Sequence, residues 1–176
     1  LNILLLLSLT INLDQSIYQT IEKWHNPTMD KIMKVPEYIS NPIVLSTANL
    51  TVFYFGSEKE ARVAKLAVTA WAGSALTTFA LKSAFNRERP AKESPRYNSS
   101  FPSGHTANWF SLATVYGKKY PKLIIPLYLT GLAVGLSRIY QGEHYPSDVL
   151  TGAAIGIAFG YLTLKLEKQL AKLPFF

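Results

Sequence analysis

The chain has 176 residues, of which 48% are hydrophobic and only 16% charged, against a charged share of about 25% in soluble domains. That length holds one domain, 1–176, and excludes two comfortable ones. The net charge is +7 with no cysteine, which excludes a disulfide framework and a thiolate metal site; on so apolar a chain the charge reads as lysines flanking membrane spans and an anion site, with no nucleic acid partner.

The numbering opens on Leu1 and not on methionine, so it is expected to start inside a longer reading frame. Leu1 to Leu13 is apolar and uncharged. It is shorter than the roughly 20 residues that cross a ~30 Å hydrocarbon core. Without a basic leading segment or a small-residue cleavage site it reads as part of a first transmembrane helix, not as a signal peptide. From Asp14 to Ser40, Ile17, Ile21 and Trp24 and then Met29, Ile32 and Met33 recur at helical spacing among charges, interrupted by Asn26-Pro27. Two short amphipathic helices at the membrane interface fit this pattern.

Pro42 to Phe55 is uncharged and apolar, Gly56 to Arg62 is a charged turn, and Ala61 to Phe85 is a long helix with Lys65 and Lys82 near its ends. Arg87 to Phe101 is polar and irregular. Gly104 to Tyr116 is helical and closes on Lys118, Lys119 and Lys122. Leu123 to Leu136 is apolar, Ser137 to Pro146 is a polar loop, and Ser147 to Leu166 is apolar before a lysine-bearing tail. The expected fold is an all-α, integral-membrane bundle of about six transmembrane helices, with short amphipathic interfacial helices near the N-terminus. Gly131 and Gly135, and Gly152, Gly156 and Gly160, recur at the spacing that lets membrane helices approach closely. They predict close packing of the last two helices against each other.

Two crossings separate the end of the third helix (Lys82 to Arg89) from the end of the fifth (Arg138). The starts of the fourth helix (Ser103 to His105) and the sixth (His144 to Asp148) adjoin them. All four polar segments therefore emerge on one face, where ionisable residues are costly and usually functional. The opposite face carries nine of the 18 basic residues, Lys59, Arg62, Lys65, Lys118, Lys119, Lys122, Lys165, Lys168 and Lys172. The counts on the two faces are equal, but these nine lie in short turns and the tail. The positive-inside rule then turns the site outward, toward the periplasm or exterior of a bacterial inner membrane.

Lys82, Arg89 and Arg138 are three cations converging on that face, beside Ser103 and Gly104 at a helix start. Unpaired backbone N–H groups at a helix N-terminus suit phosphate, and arginine adds planar, bidentate donors. His105 and His144 sit at helix starts on the same face. Asp148, four residues after His144, is placed to accept a hydrogen bond from one ring nitrogen and leave the other as a nucleophile. His105 can then protonate a leaving oxygen. Zinc is a poor fit because no third or fourth ligand is evident. The third histidine, His25, beside Trp24, reads as an ordinary interface residue.

Lys82-x6-Arg89-Pro90, then Pro102-Ser103-Gly104-His105, then Ser137-Arg138-x5-His144-x3-Asp148 together resemble the three-part signature of the type 2 phosphatidic acid phosphatase superfamily. The resemblance implies a phosphatase without cofactor or metal. In it His144 attacks phosphorus, Asp148 orients His144, and His105 serves as acid and then base. Lys82, Arg89, Ser103, Gly104 and Arg138 hold the phosphate. The family also holds soluble acid phosphatases and vanadate-dependent haloperoxidases; the apolar helices here favour its membrane branch. The substrate expected is a phosphorylated membrane lipid: lipid A losing its 1-phosphate first, then phosphatidylglycerophosphate and undecaprenyl diphosphate. A lipid phosphotransferase and an inactive lipid-binding scaffold are the alternatives.

Overall fold

The structure, a computed structural model, describes residues 3–174 and 176; the side chains of residues 3–8 and of Arg96 lie outside the described set. All its regular elements are helical: α1 (Ile3–Glu22), α2 (Pro27–Ile39), α3 (Pro42–Phe55), α4 (Glu58–Phe85), α5 (Gly104–Lys119), α6 (Ile124–Tyr140), α7 (Pro146–Lys165) and the single turn α8 (Glu167–Leu170). The helix starts are written in the local sequence. Asn26 and Asn41 cap α2 and α3 through their side chains, each followed by proline, a residue that costs nothing at a first turn. Ser57 and Glu60 form a reciprocal capping box at α4, so the helix begins inside the stretch expected to be a charged turn.

The segment expected as a short apolar piece followed by an interfacial helix is instead one helix, α1. Its first two residues, Leu1 and Asn2, lie outside those described. The physical reason is Asp14, which is buried and not surface-exposed. Its carboxylate accepts hydrogen bonds from Arg87 and from the backbone N–H of Ser147, so α1 is tied into the bundle through its polar residue. The second amphipathic helix is present as α2, with no buried side chain.

At the centre, α5 packs against α4, α6 and α7. One apolar cluster (Leu45, Val63, Leu66, Ala70, Leu112 and Val115) fills the space among α3, α4 and α5. A second (Tyr18, Ile21, Ile139 and Tyr140) joins α1 to α6. The expected packing of the last two helices is met at Gly135 of α6, where a Cβ would lie 2.5 Å from Val149 of α7, but the glycine stripe of α7 itself faces α5. A Cβ on Gly152 would lie 2.4 Å from the Ser103 carbonyl oxygen, and one on Gly156 2.3 Å from that of Ala107. The stripe seats α7 on α5, backbone to backbone. Spacing marks a close-approach face without saying which partner takes it.

Among the described residues, two helical stretches, Pro121–Tyr140 and Pro146–Lys165, are long and apolar enough to cross a membrane, and Pro42–Phe55 is a shorter apolar helix. The expected count of six spans is thus met by two on length and hydropathy. Serines, threonines and Lys82 dilute the apolar character of α4, and α5 has 16 residues.

Candidate active site

Four chain segments meet at one end of the bundle: the last turns of α4 and α6 and the first turns of α5 and α7. Asn86 ends α4 in the left-handed conformation, with φ of 46°. The following loop folds back over the helix end. Ser99 donates its hydroxyl to the Lys82 carbonyl at 2.8 Å, and the Lys82 ammonium donates to the Ser99 carbonyl. The Ser100 N–H donates to the Arg87 carbonyl at 2.7 Å and that of Ala91 to the Gly142 carbonyl at 3.1 Å. Gly142 has φ of +65°, and a Cβ there would meet the Ala91 Cβ at 2.3 Å. Only glycine lets the α4–α5 and α6–α7 loops come this close.

The structure brings the three expected phosphate cations into one neighbourhood, each already engaged. Arg138, nearly buried, donates to Glu37 at 3.0 Å and lies 3.7 Å from Glu143. Arg89 pairs with Glu143 and donates to the side chain of Asn98 at 2.8 Å. The more exposed Lys92 also pairs with Glu143. An arriving phosphate would compete with the Glu143 carboxylate for Arg89 and Arg138. The Nε of Arg138 is buried with no protein acceptor, a donor that an anion would satisfy.

His144 leads into α7 and is 2% exposed. Burial, reinforced by the charges of Lys82 and Arg138 and opposed by Asp148, pushes its imidazole down from 6.5 to about 4. The ring is therefore neutral near pH 7, as a nucleophile must be. The expected Asp148 contact is present but loose. Nδ1 of His144 lies 3.8 Å from Oδ2 of Asp148, longer than a hydrogen bond, and has no hydrogen-bond partner. The physical reason is competition. Asp148 accepts from Arg87 at 2.6 Å, from the Tyr145 N–H at 2.8 Å and from the Ser100 hydroxyl.

Ser103 is fully buried and turned inward. Its N–H donates to the Asp148 carbonyl at 2.9 Å, and its hydroxyl meets that of Thr106 at 2.9 Å. It makes no side-chain cap at α5, so the N–H groups of Gly104, His105 and Thr106 have no acceptor inside the helix, as suits an anion at its N-terminus. His105 sits within electrostatic reach of Arg138, Lys82 and Arg89. His25 lies elsewhere, bridging Asp30 at 2.9 Å and the Tyr140 carbonyl at 3.0 Å; it joins α2 to the end of α6.

The sequence pattern of the PAP2 superfamily matches residues 63–172, well over half of the chain and all four segments that meet at the site. The chain belongs to the PAP2 superfamily. Its fold is similar to that of Aquifex aeolicus LpxE, with a TM-score of 0.74 and 32% identity over 85% of this chain and 93% of that one. It is also similar in fold to a transmembrane PAP2-type phosphatidylglycerolphosphate phosphatase from Bacillus subtilis, with a TM-score of 0.76 at 22% identity over 90% and 86%. A curated relative, lipid A 1-phosphatase of Porphyromonas gingivalis, is 41% identical over 85 residues. That alignment spans 46% of this chain and 18% of the relative.

Around the PAP2 signature stand five polar residues that sequence reasoning did not single out. Arg87 bridges Asp148 and Asp14, at 2.6 and 2.7 Å. Ser100 holds Asp148, and Glu37 and Glu143 hold the arginines. Arg87 and Ser100 lie beside signature positions, but nothing in their spacing announces the pairing. Asp14 did carry a signal: a carboxylate within an apolar helix needs a partner. Among the described residues, no group of three or more histidines, aspartates and glutamates is arranged to hold a metal ion.

Proposed function

We propose that this chain is a membrane-embedded, metal-independent lipid phosphatase that works through a phosphohistidine on His144. The observation carrying this reading is the meeting of a buried, neutral imidazole with Lys82, Arg89 and Arg138 at the start of α5. Such a pocket suits a phosphoryl group whose transition state spreads negative charge over its equatorial oxygens. The free ring nitrogen of His144 attacks phosphorus and the bond to the lipid oxygen breaks. His105 gives that oxygen a proton. Asp148 draws closer as positive charge develops on His144. His105 then takes a proton from water, whose oxygen attacks the phosphohistidine, releasing inorganic phosphate and restoring neutral His144. Gly104 offers its N–H to the phosphate, and Ser103 holds the helix start in place. No metal or other cofactor enters these steps.

The leading substrate is lipid A 1-phosphate, in keeping with the name of the Porphyromonas relative, with phosphatidylglycerophosphate and undecaprenyl diphosphate as further substrates. The site is proposed to open on the outer face of a bacterial inner membrane. The test is phosphate release from these three lipids by purified protein in detergent with excess EDTA, beside His144→Ala. Release by the wild type, with loss of at least about a thousandfold and no phosphoenzyme in the variant, is the expected result. Activity that needs an added metal, or a variant that still labels with phosphate, overturns the mechanism.

A further inference from the structure

A groove of about 350 Å³ runs from the phosphate cluster along the seam of α4 and α5. Lys82 and Gly104 form its upper end, Thr78 and Phe79 line one wall, Tyr97 lies beside it and Asn108 lines the other wall. A Cβ on Gly104 would come no closer than 3.8 Å to Thr78, so the missing side chain there leaves the passage between cluster and groove open. The outer edge of α4 is apolar and turned away from the protein: Leu76 is 70% exposed and Phe79 58%.

Within this groove, Asn108 is 9% exposed, and its Oδ1 is buried with no hydrogen-bond partner. Ser74, one turn before Thr78 on α4, also holds a buried hydroxyl oxygen without a partner. Buried polar groups are nearly always paired, so a carboxamide oxygen without a partner at the side of a groove points to a ligand. Its place is informative. Asn108 follows His105 by three residues, one turn along the same helical face. If His105 protonates the oxygen leaving the phosphate, the part of the lipid attached to that oxygen lies over Asn108.

We infer, on the phosphatase reading above, that the α4–α5 groove seats the lipid portion next to the scissile phosphate. In it Asn108 hydrogen-bonds a hydroxyl or amide of a sugar or glycerol headgroup. In a polyprenyl diphosphate the group at that distance is the second phosphate, which offers only acceptors and leaves the Asn108 Oδ1 without a donor. Asn108 thus selects polar-headgroup lipid phosphates over polyprenyl diphosphates. Its carboxamide accepts through oxygen and donates through nitrogen, so hydroxyl and amide partners are both served.

The experiment compares kcat/KM for lipid A, phosphatidylglycerophosphate and undecaprenyl diphosphate in the wild type, Asn108→Leu and Asn108→Ala, in one detergent. The expected result is that the preference for the two polar-headgroup lipids over the polyprenyl lipid falls about 10- to 100-fold in both variants. Whichever of the two loses more names the headgroup that Asn108 reads. Turnover of the polyprenyl diphosphate reports on folding and chemistry in the same preparations. An unchanged preference, or an equal loss on all three lipids, overturns the subsite while leaving the phosphatase reading intact. A wild type that releases phosphate from none of them overturns that reading, and the subsite with it.

Discussion

At the scale of single residues, the site balances charges that are mostly already paired. His144, the proposed nucleophile, is an exception, its Nδ1 having no hydrogen-bond partner, and its shift has two consequences of known sign. In kcat/KM, the acid limb due to this group should fall as pH drops through about 4, not near 6.5. In stability, the unfolded chain binds a proton at His144 from pH 6.5 downward, while the folded chain binds it only near 4. The contribution is therefore whole above about pH 6.5 and is lost progressively as pH falls toward 4. Thermal unfolding in detergent across this range should show the loss, and His144→Gln should flatten that part of the curve. Glu143 invites the opposite experiment. Because its carboxylate holds Arg89 and Arg138, Glu143→Gln leaves two cations under-compensated. It should lower thermal stability while tightening inhibition by vanadate or inorganic phosphate about 3- to 10-fold. Unchanged inhibition constants would mean that Glu143 and the phosphate do not share these arginines.

At the scale of elements, the site depends on how α7 lies on α5. Gly152→Ala would drive a methyl group into the Ser103 carbonyl, which is backbone and cannot swing aside. A cost of about 1–3 kcal/mol is expected, with loss of activity, since the Ser103 N–H holds the Asp148 carbonyl. Gly104→Ala, whose methyl would find ordinary contact at 3.8 Å, should leave thermal stability nearly unchanged; equal destabilisation by the two would contradict the packing described. The element boundaries were legible in the sequence wherever local chemistry decides them, as at Asn26-Pro27, Asn41-Pro42 and Ser57-x-x-Glu60. The gathering of the signature residues at one end of the bundle was equally legible, because the helix pattern sets which segments emerge on one face. The partners were not. Asp14 meets Arg87 across 73 positions and Glu37 meets Arg138 across 101, and no periodicity encodes such distances. The same blindness hid the acceptor of the glycine stripe, and it turned one helix, α1, into two expected segments.

At the scale of the whole molecule, the absence of cysteine makes the orientation directly measurable. Glu93→Cys, exposed beside the site, and Lys122→Cys, exposed at the opposite end, each provide a single thiol. A membrane-impermeant maleimide should label the first in intact cells and the second only after permeabilisation; the reverse pattern would turn the site inward. The bundle also sorts its charges into two clusters. In one, Asp14 and Asp148 share the single guanidinium of Arg87, leaving it with net negative charge. In the other, Lys82, Arg89 and Arg138 outnumber Glu37 and Glu143. His144 feels both: Asp148 favours positive charge on the ring, and Lys82 and Arg138 oppose it. On the proposed mechanism the cationic cluster draws in the phosphoryl group, and the anionic one steadies the positive charge that forms on the ring. On that reading the protein is polarised along the reaction coordinate before any substrate arrives.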